Sequence, residues 1–266
     1  MIYLKSESEI DKMRESAQIV SRTLGKISGH IEPGVSTVKL DRIAEEYIKS
    51  QGGSPAFKGY GPTNNPFPAT LCISINEEVV HGIPSEQRTL KEGDIVSVDC
   101  GVEKNGYFGD HAFTFAVGEC DEEVLKLLRV TLKSLEKGIE QAVHGNKIGD
   151  ISHAVQTYCE NEGYGVVRNL VGHGIGKSMH EDPTVPNFGK AGRGERLRAG
   201  MALAIEPMIT MGSYKVETLD DHWTVVTADK TLAAHFEHDV IIREGRAEVL
   251  STFDYIDEIE TKRINV

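Results

Sequence analysis

Long apolar runs are missing from this chain. No stretch of about 18 apolar residues occurs in its 266, so no segment reads as a membrane-spanning helix. Cysteine is scarce: residues 72, 100, 120 and 159 form no CxxC pair and are too few for a disulfide scaffold, which points to reduced thiols. Positive charge is short as well, with 29 Lys+Arg against 41 Asp+Glu and a net charge of −12. That balance argues against nucleic acid, whose phosphates demand clustered cations, and against an anionic membrane surface. The opening MIYLKSESEIDKMRES is charged throughout and has no apolar core of signal-peptide length. What is present, 39% apolar and 26% charged residues, suits a soluble globule long enough to bury a substantial core. The expected location is the cytoplasm.

A capping box, Ser6 to Glu9, opens a stretch with Ile10, Met13, Ala17, Val20, Leu24 and Ile27 at helical spacing. After PGVST (33–37) a second helix is predicted to about Ser50, with Leu40, Ile43, Ala44, Tyr47 and Ile48 on one face. A loop rich in Pro, Gly and Asn (52–68) leads to strand-like ATLCISI and EEVVHGI. DIVSVDCGVEKNGYFGDHAFTFAVG then reads as a hairpin turning at Asn105-Gly106. Helices are predicted from N-cap Asp121 to about Val143 and from Asp150 to near Gly163. Beyond them GVVRNLVGHGI, MALAIEPMI, HWTVVT and FEHDVII read as strands.

The two halves echo each other. Each opens with a helix, a short break, a second helix and a Gly stop. Val80-His81-Gly82-Ile83 is then matched by Gly172-His173-Gly174-Ile175. The segment from Leu90 to Asp99 is matched by that from Leu197 to Glu206, and Asp110 to Gly118 by Glu237 to Gly245. The expectation is one catalytic domain over 1–266, internally duplicated, with halves at about 6–118 and 121–245. Equivalent polar positions, His81, Asp99 and Asp110 against His173, Glu206 and Glu237, then converge on a pseudo-twofold axis.

With Asn105-Gly106 as the central turn residues, residue 101 faces 110 and 99 faces 112. Asp99 and Asp110 fall diagonally on one face of the hairpin, roughly 6–8 Å apart. An acidic pair on a solvent face is ordinary, so the hairpin alone leaves the matter open. Glu206 weighs against solvent, because MALAIEPMI reads as a core strand and an unpaired carboxylate there is costly. Glu237 adjoins another apolar run. Four converging carboxylates need positive charge, which two divalent cations supply. Oxygen-rich ligation with one His, His173, suits Mn, Fe, Co or Zn, and two such ions can clamp a hydroxide at an acyl or phosphoryl centre. Competing motifs fail. Gly176-Lys177-Ser178 ends like a phosphate loop, but the required Gly is Val171, and neither GxSxG nor HExxH occurs. Cys72 reads better as a buried pocket thiol than as a nucleophile.

The set VVHGIP (79–84), DIVSVDCG with GYFGD (94–110), GHGIG (172–176), MHEDPTVPNF (179–188), AIEPM (204–208) and FEH (236–238) resembles the bacterial type I methionine aminopeptidases. The resemblance runs from the first helix to about Gly245. It implies an α/β (α+β) pita-bread fold, two pseudo-symmetric halves with antiparallel sheet covered by helices, around a dinuclear metal site. Its five ligands fall on Asp99, Asp110, His173, Glu206 and Glu237, with Asp110 and Glu237 bridging. Its two substrate-contacting histidines fall on His81 and His180, so of the echoed pair only His173 is implied to ligate. His180 carries no signal of its own in the sequence.

The resemblance further implies removal of the N-terminal methionine from nascent proteins whose second residue is small. In that reading Glu206 shuttles the proton, His180 donates to the carbonyl oxygen and His81 contacts the leaving amide. The methionine slot is expected to be walled by Phe67, Cys72, Met179 and Trp223, residues that core packing would otherwise explain. The implied cofactors are two divalent metal ions (Co, Mn, Fe or Zn), with Asn76 a weak candidate for a peripheral monovalent cation. The expected partners are nascent polypeptide N-termini and transiently the ribosome, with the chain a monomer. His111 stands where Thr is common and Met179 where an aromatic is usual, and the loop 61–68 leaves the reach of Tyr60 open. A proline-directed peptidase of the same fold, or a catalytically inactive pita-bread binding protein, are the rival readings. The first usually carries an extra N-terminal domain, and the second loses ligands that this chain retains.

Overall fold

The Ser6 N–H donates to the Glu9 carboxylate at 2.9 Å, satisfying a donor that the first helical turn cannot. Helix α1 accordingly runs Glu7–Ser28 and buries Ile10, Met13, Ala17, Val20, Leu24 and Ile27. In α2, Thr37–Ser50, the buried stripe is Leu40, Ala44 and Ile48, while Ile43 and Tyr47 lie half-buried at its margin. The other helices are α3, Glu122–Gln141, and α4, Ile148–Asn161. Helix α4 begins two residues before the predicted Asp150. Lys147 is its N-cap, and Asp150 stands in the first turn, where its carboxylate accepts the Lys147 N–H at 2.8 Å. The computed structural model describes residues 1–256, 261, 262 and 264.

The strand Ile95–Lys104 is central to the first sheet. Tyr107–Ala116 pairs one edge, and Leu71–Ile75 with Ser54–Pro55 pairs the other, all antiparallel. Asn105 and Gly106 take φ of 55° and 77°, the left-handed pair that a two-residue hairpin turn of this twist demands. The register follows from the turn: Lys104 faces Tyr107, Gly101 faces Asp110, and Asp99 faces Ala112. A five-stranded antiparallel sheet is ordered Glu248–Val249, His238–Ile241, Ala202–Ile205, Gly172–Gly174 and Glu181–Val185. Two three-stranded sheets complete the fold, one joining Ala233–His235, Met208–Thr210 and Gly165–Val166, the other Val216–Thr218, Val225–Thr227 and Glu78–Val80.

MALAIEPMI proves to be two short strands rather than one, while in FEHDVII the strand begins only at His238 and a further strand, Ala233–His235, precedes it. Ala202–Ile205 pairs with His238–Ile241 in the five-stranded sheet, and Met208–Thr210 pairs with Ala233–His235 in a three-stranded one. Both chains cross between sheets, at Glu206-Pro207 and at Phe236-Glu237. Pro207 lacks the N–H a continuous ladder needs, which ends the first strand where it does.

Helix α1 packs across the long hairpin and α2 lies beside it, while α3 and α4 pack together over the second half. The α1 backbone comes so close to the hairpin that a Cβ on Gly109 would lie 2.5 Å from the Ala17 nitrogen. Gly109→Ala is expected to cost about 1–3 kcal/mol through overpacking against main-chain atoms that cannot yield. Thermal unfolding of the two proteins measures this, and an unchanged Tm counts against it. Phe113, Phe115 and Phe236 are fully buried, and the Phe113–Phe236 ring pair, 5.0 Å apart, joins the two long-sheet systems in the core.

Candidate metal centre

Asp99 and Asp110 project from one face of the hairpin, as alternation and the observed register require. Glu206 and Glu237 sit at the two sheet-to-sheet crossings, one residue beyond the paired ends Ile205 and His238. His173 pairs with Ala204 in the neighbouring strand. Its flanking glycines are dictated by packing: a Cβ on Gly172 would meet the Ala204 carbonyl oxygen at 2.4 Å, and one on Gly174 the Asp182 oxygen at 2.2 Å. All five side chains line one cavity, and ligand atoms of Asp110, His173 and Glu237 lie within 4.8 Å of one another. His173 Nε2 is 3.8 Å from Asp110 Oδ2 and 3.6 Å from Glu206 Oε1.

Carboxylates packed this way resist ionisation. Burial, then the charges of Asp110 and Glu206, hold Asp99 well above the usual carboxylate range. Burial and neighbouring acids do the same for Glu206 and Glu237, and burial pushes Asp110 up to about 7. Asp239 adds a fifth buried acid; one of its oxygens accepts the Asp110 N–H at 2.8 Å. Asp99 Oδ1, Glu237 Oε1 and Asp239 Oδ1 have no hydrogen-bond partner among the described residues. Burial also pushes His173 down to about 4, so its ring is neutral. The Nδ1 N–H donates to the Gly174 carbonyl at 2.9 Å, which leaves the Nε2 lone pair facing the carboxylates. Orphaned acid oxygens around an oriented, neutral imidazole fit divalent cations, and positive charge there would return each carboxyl to its ionised form.

Above this floor the wall is aromatic. Phe57, Tyr60, Phe67, Cys72 and Trp223 line it, with His81 and His180 at its polar edge. The Phe67 and Trp223 rings meet edge to face at 5.3 Å, and the Trp223 indole N–H donates to the Asn65 carbonyl at 3.2 Å. Loop 61–68 therefore holds the wall, and Tyr60 does reach the cavity, where its hydroxyl meets His180 Nδ1. His81 takes a left-handed φ of 60°, unusual for a non-glycine residue, and burial pushes its ring down to about 4. The His180 ring lies 4.3 Å from that of His173. Burial holds the Cys72 thiol well above its ordinary range, as befits a wall group rather than a nucleophile.

Two expectations need correction. Met179 is buried in the same apolar cluster but does not line the cavity; it lies behind Gly101 together with Phe57, and the Phe57 ring faces inward instead. Asn76 joins a turn to the hairpin, its amide donating to Asp94 at 2.8 Å and its oxygen accepting the Ile95 N–H at 3.0 Å, so its side chain serves the sheet. His81 lines the cavity and lies outside the tight cluster of Asp110, His173 and Glu237. The sequence reading missed Phe57, Asp239 and His235, whose Nε2 lies 3.7 Å from Glu206 Oε2. His235 and Asp239 flank Glu237 at two-residue spacing, the one signal that could have raised them.

Comparison with known proteins agrees with this architecture. Residues 11–244 match the signature of Metallopeptidase family M24. A methionine aminopeptidase of Clostridium acetobutylicum is 55% identical over 251 residues, covering 94% of this chain and 99% of that protein. Methionine aminopeptidase 1 of Bacillus subtilis is 50% identical over the same share of this chain. The crystal structure of methionine aminopeptidase from Thermotoga maritima superposes with a TM-score of 0.92 at 44% identity, covering 95% of this chain and all of that one. Prolidase from Pyrococcus furiosus shares the pita-bread fold at 22% identity and a TM-score of 0.76, with this chain spanning 65% of it. The chain belongs to metallopeptidase family M24, and within it to the methionine aminopeptidases.

Proposed function

We propose that this enzyme removes the N-terminal methionine from proteins whose second residue is small. The observation that carries the reading is the acidic, His173-capped floor beneath an aromatic slot sized by Phe57, Phe67, Cys72 and Trp223. An unbranched thioether side chain suits such a wall. Asp99, Asp110, His173, Glu206 and Glu237 would hold two divalent ions, drawn from Co, Mn, Fe or Zn. When bound, such ions supply Lewis acidity and lower the pKa of water.

The protein's own groups do the rest. Glu206 takes a proton from the attacking water on a carboxylate oxygen and delivers it to the leaving amide nitrogen. His180 is neutral, because burial pulls its pKa down. With the Tyr60 hydroxyl donating to its Nδ1, the ring proton sits on Nε2, ready to donate to the scissile carbonyl oxygen as charge develops there. His81, also neutral, contacts the leaving amide. Tyr60→Phe is expected to lower kcat about tenfold with little change in KM, as one oriented hydrogen bond is lost. Steady-state kinetics on a Met-Ala peptide at saturating Mn2+ reads it, and an unchanged kcat removes Tyr60 from this role.

Residues 6–118 and 121–245 are read as duplicated halves of one catalytic domain, a view supported by two helices preceding each pair of acids. The protein is read as a cytoplasmic monomer meeting nascent chains, with transient contact at the ribosome. Metal analysis combined with hydrolysis of Met-Gly and Xaa-Pro peptides tests the function. Metal-dependent cleavage of the first alone is expected. Preference for Xaa-Pro would favour a proline-directed peptidase, and no cleavage by the metal-loaded protein would favour a binding protein.

A further inference from the structure

Behind the acidic floor lies a second set of rings that the reaction does not use. His111 follows Asp110 in the strand Tyr107–Ala116 and therefore points to the opposite face, where it is fully buried. Its Nδ1 meets the main-chain carbonyl of Glu237, and its Nε2 lies 3.3 Å from the carbonyl of Thr252. A neutral ring carries one N–H, and the closer contact takes it, so Nδ1 donates to Glu237. The Glu237 N–H in turn donates to the Ala112 carbonyl at 3.0 Å. Both main-chain polar groups of Glu237 are thus held by residues 111 and 112, next to Asp110.

The ring of His111 is itself held. It stacks on His238 (4.7 Å, 17°) and on Phe253 (4.7 Å, 23°), and those two rings touch each other at 4.3 Å. The segment carrying Phe253 is fastened on both sides. Ser251 Oγ bonds His238 Nδ1 at 2.8 Å, the Leu250 N–H donates to the Asp239 carbonyl at 2.8 Å, and the Thr252 N–H donates to Ser21 Oγ of α1 at 2.9 Å. A continuous chain of contacts runs from α1 through Leu250–Phe253 to His111 and on to the Glu237 backbone.

We propose that His111, held by Phe253, is a positioning residue for the metal centre: its hydrogen bond to the Glu237 carbonyl fixes the direction in which the Glu237 carboxylate meets Asp110 and His173. The inference rests on the metal reading above. Freed of that bond, Glu237 keeps only its N–H bond to Ala112 and can turn its carbonyl at the crossing between the strands Ala233–His235 and His238–Ile241. Cation binding should suffer while the aromatic wall, which His111 does not touch, keeps its shape.

The test is a Mn2+ titration of the whole protein, free Mn2+ being read by its EPR signal, for the native chain and His111→Ala, His111→Asn and Phe253→Leu. Asn places its amide N–H close to the position of Nδ1. Loss of an orienting partner of a ligand typically weakens metal binding 10–100-fold, so His111→Ala is expected to bind Mn2+ at least about tenfold more weakly. His111→Asn should recover most of that loss, and Phe253→Leu should show an intermediate one. KM for a Met-Ala peptide at saturating Mn2+ should stay near native in all three. Native-like Mn2+ affinity in His111→Ala with only a lower Tm overturns the proposal in favour of simple packing, as does His111→Asn binding as weakly as His111→Ala. If His111→Ala does not fold, Phe253→Leu decides: native-like affinity there overturns the proposal. A native chain that binds no Mn2+ would instead refute the metal reading itself, a separable outcome.

Discussion

Glu206→Gln, loaded with excess Mn2+ to native metal content, is expected to lose turnover by about 10^3-fold or more, within the range for removal of a general acid–base group and its charge. The amide keeps the size and an oxygen of the carboxylate but cannot take up the proton of the attacking water. The backbone at this position is secured independently, because Asn187 donates to the Glu206 carbonyl at 2.8 Å and Pro207 follows. The substitution therefore changes the side chain's chemistry with little change in its address. KM should move only a few-fold, since the aromatic wall that takes the methionine side chain is untouched. Both kcat and metal content must be measured. A metal-loaded variant with near-native kcat removes Glu206 from proton transfer, whereas a variant unable to load metal leaves its role as ligand the dominant one.

The chelator-treated protein is expected to lose stability as pH rises from about 6 to 8, and Mn2+ should abolish that loss. The sign follows from where protons bind. Asp99, Glu206, Glu237 and Asp239 are held well above the usual carboxylate range and Asp110 is pushed up to about 7. An acid whose pKa is higher folded than unfolded binds protons better when folded, so its contribution favours folding at low pH and is lost as pH climbs through the raised value. The buried histidines oppose this on the acid side. Burial pushes His81, His111 and His173 down to about 4 and His235 to about 3, so each favours folding above pH 6.5 and is lost as pH falls toward those values. The two sets largely offset each other between about pH 4 and 6.5, so the net loss in the metal-free protein appears above that range. A divalent ion stabilises the ionised carboxylates and removes the alkaline limb. At about 2–4 °C of Tm per kcal/mol for a chain of this size, a loss of even ~2 kcal/mol is visible in a thermal scan. A metal-free Tm that is flat or rising between pH 6 and 8 would rule out this account of the acidic cluster.

How far the chain could be read depended on the range of the interactions involved. Asn105-Gly106 dictated the hairpin register by turn chemistry alone, and with it the shared face of Asp99 and Asp110. Ser6 and Glu9 marked the start of α1 because a cap is a contact over three residues. Asp150 misled by two residues, since an acid at the third helical position accepts from the N-cap and resembles a cap itself. MALAIEPMI looked like one strand because apolar periodicity is blind to a change of sheet, and only Pro207 hinted at the break. The cavity wall was legible in Phe67, Cys72 and Trp223, but Phe57 and Met179 exchanged places, because both approach Gly101 and nothing local decides which one turns inward.

The sequence by itself determined the helices, the hairpin register and the chemistry of the donor set: four carboxylates, one glycine-flanked histidine and a deficit of compensating cations. Those are properties of near neighbours, settled by capping, turn conformation and charge. Tertiary structure alone decided that Glu206 and Glu237 meet across two sheet crossings, that they face Asp99 and Asp110 rather than solvent, and that Tyr60 and His111 hold the groups beside them. Each of these depends on how separate sheets pack, and the residues involved are brought together only when the core around Phe113 and Phe236 closes.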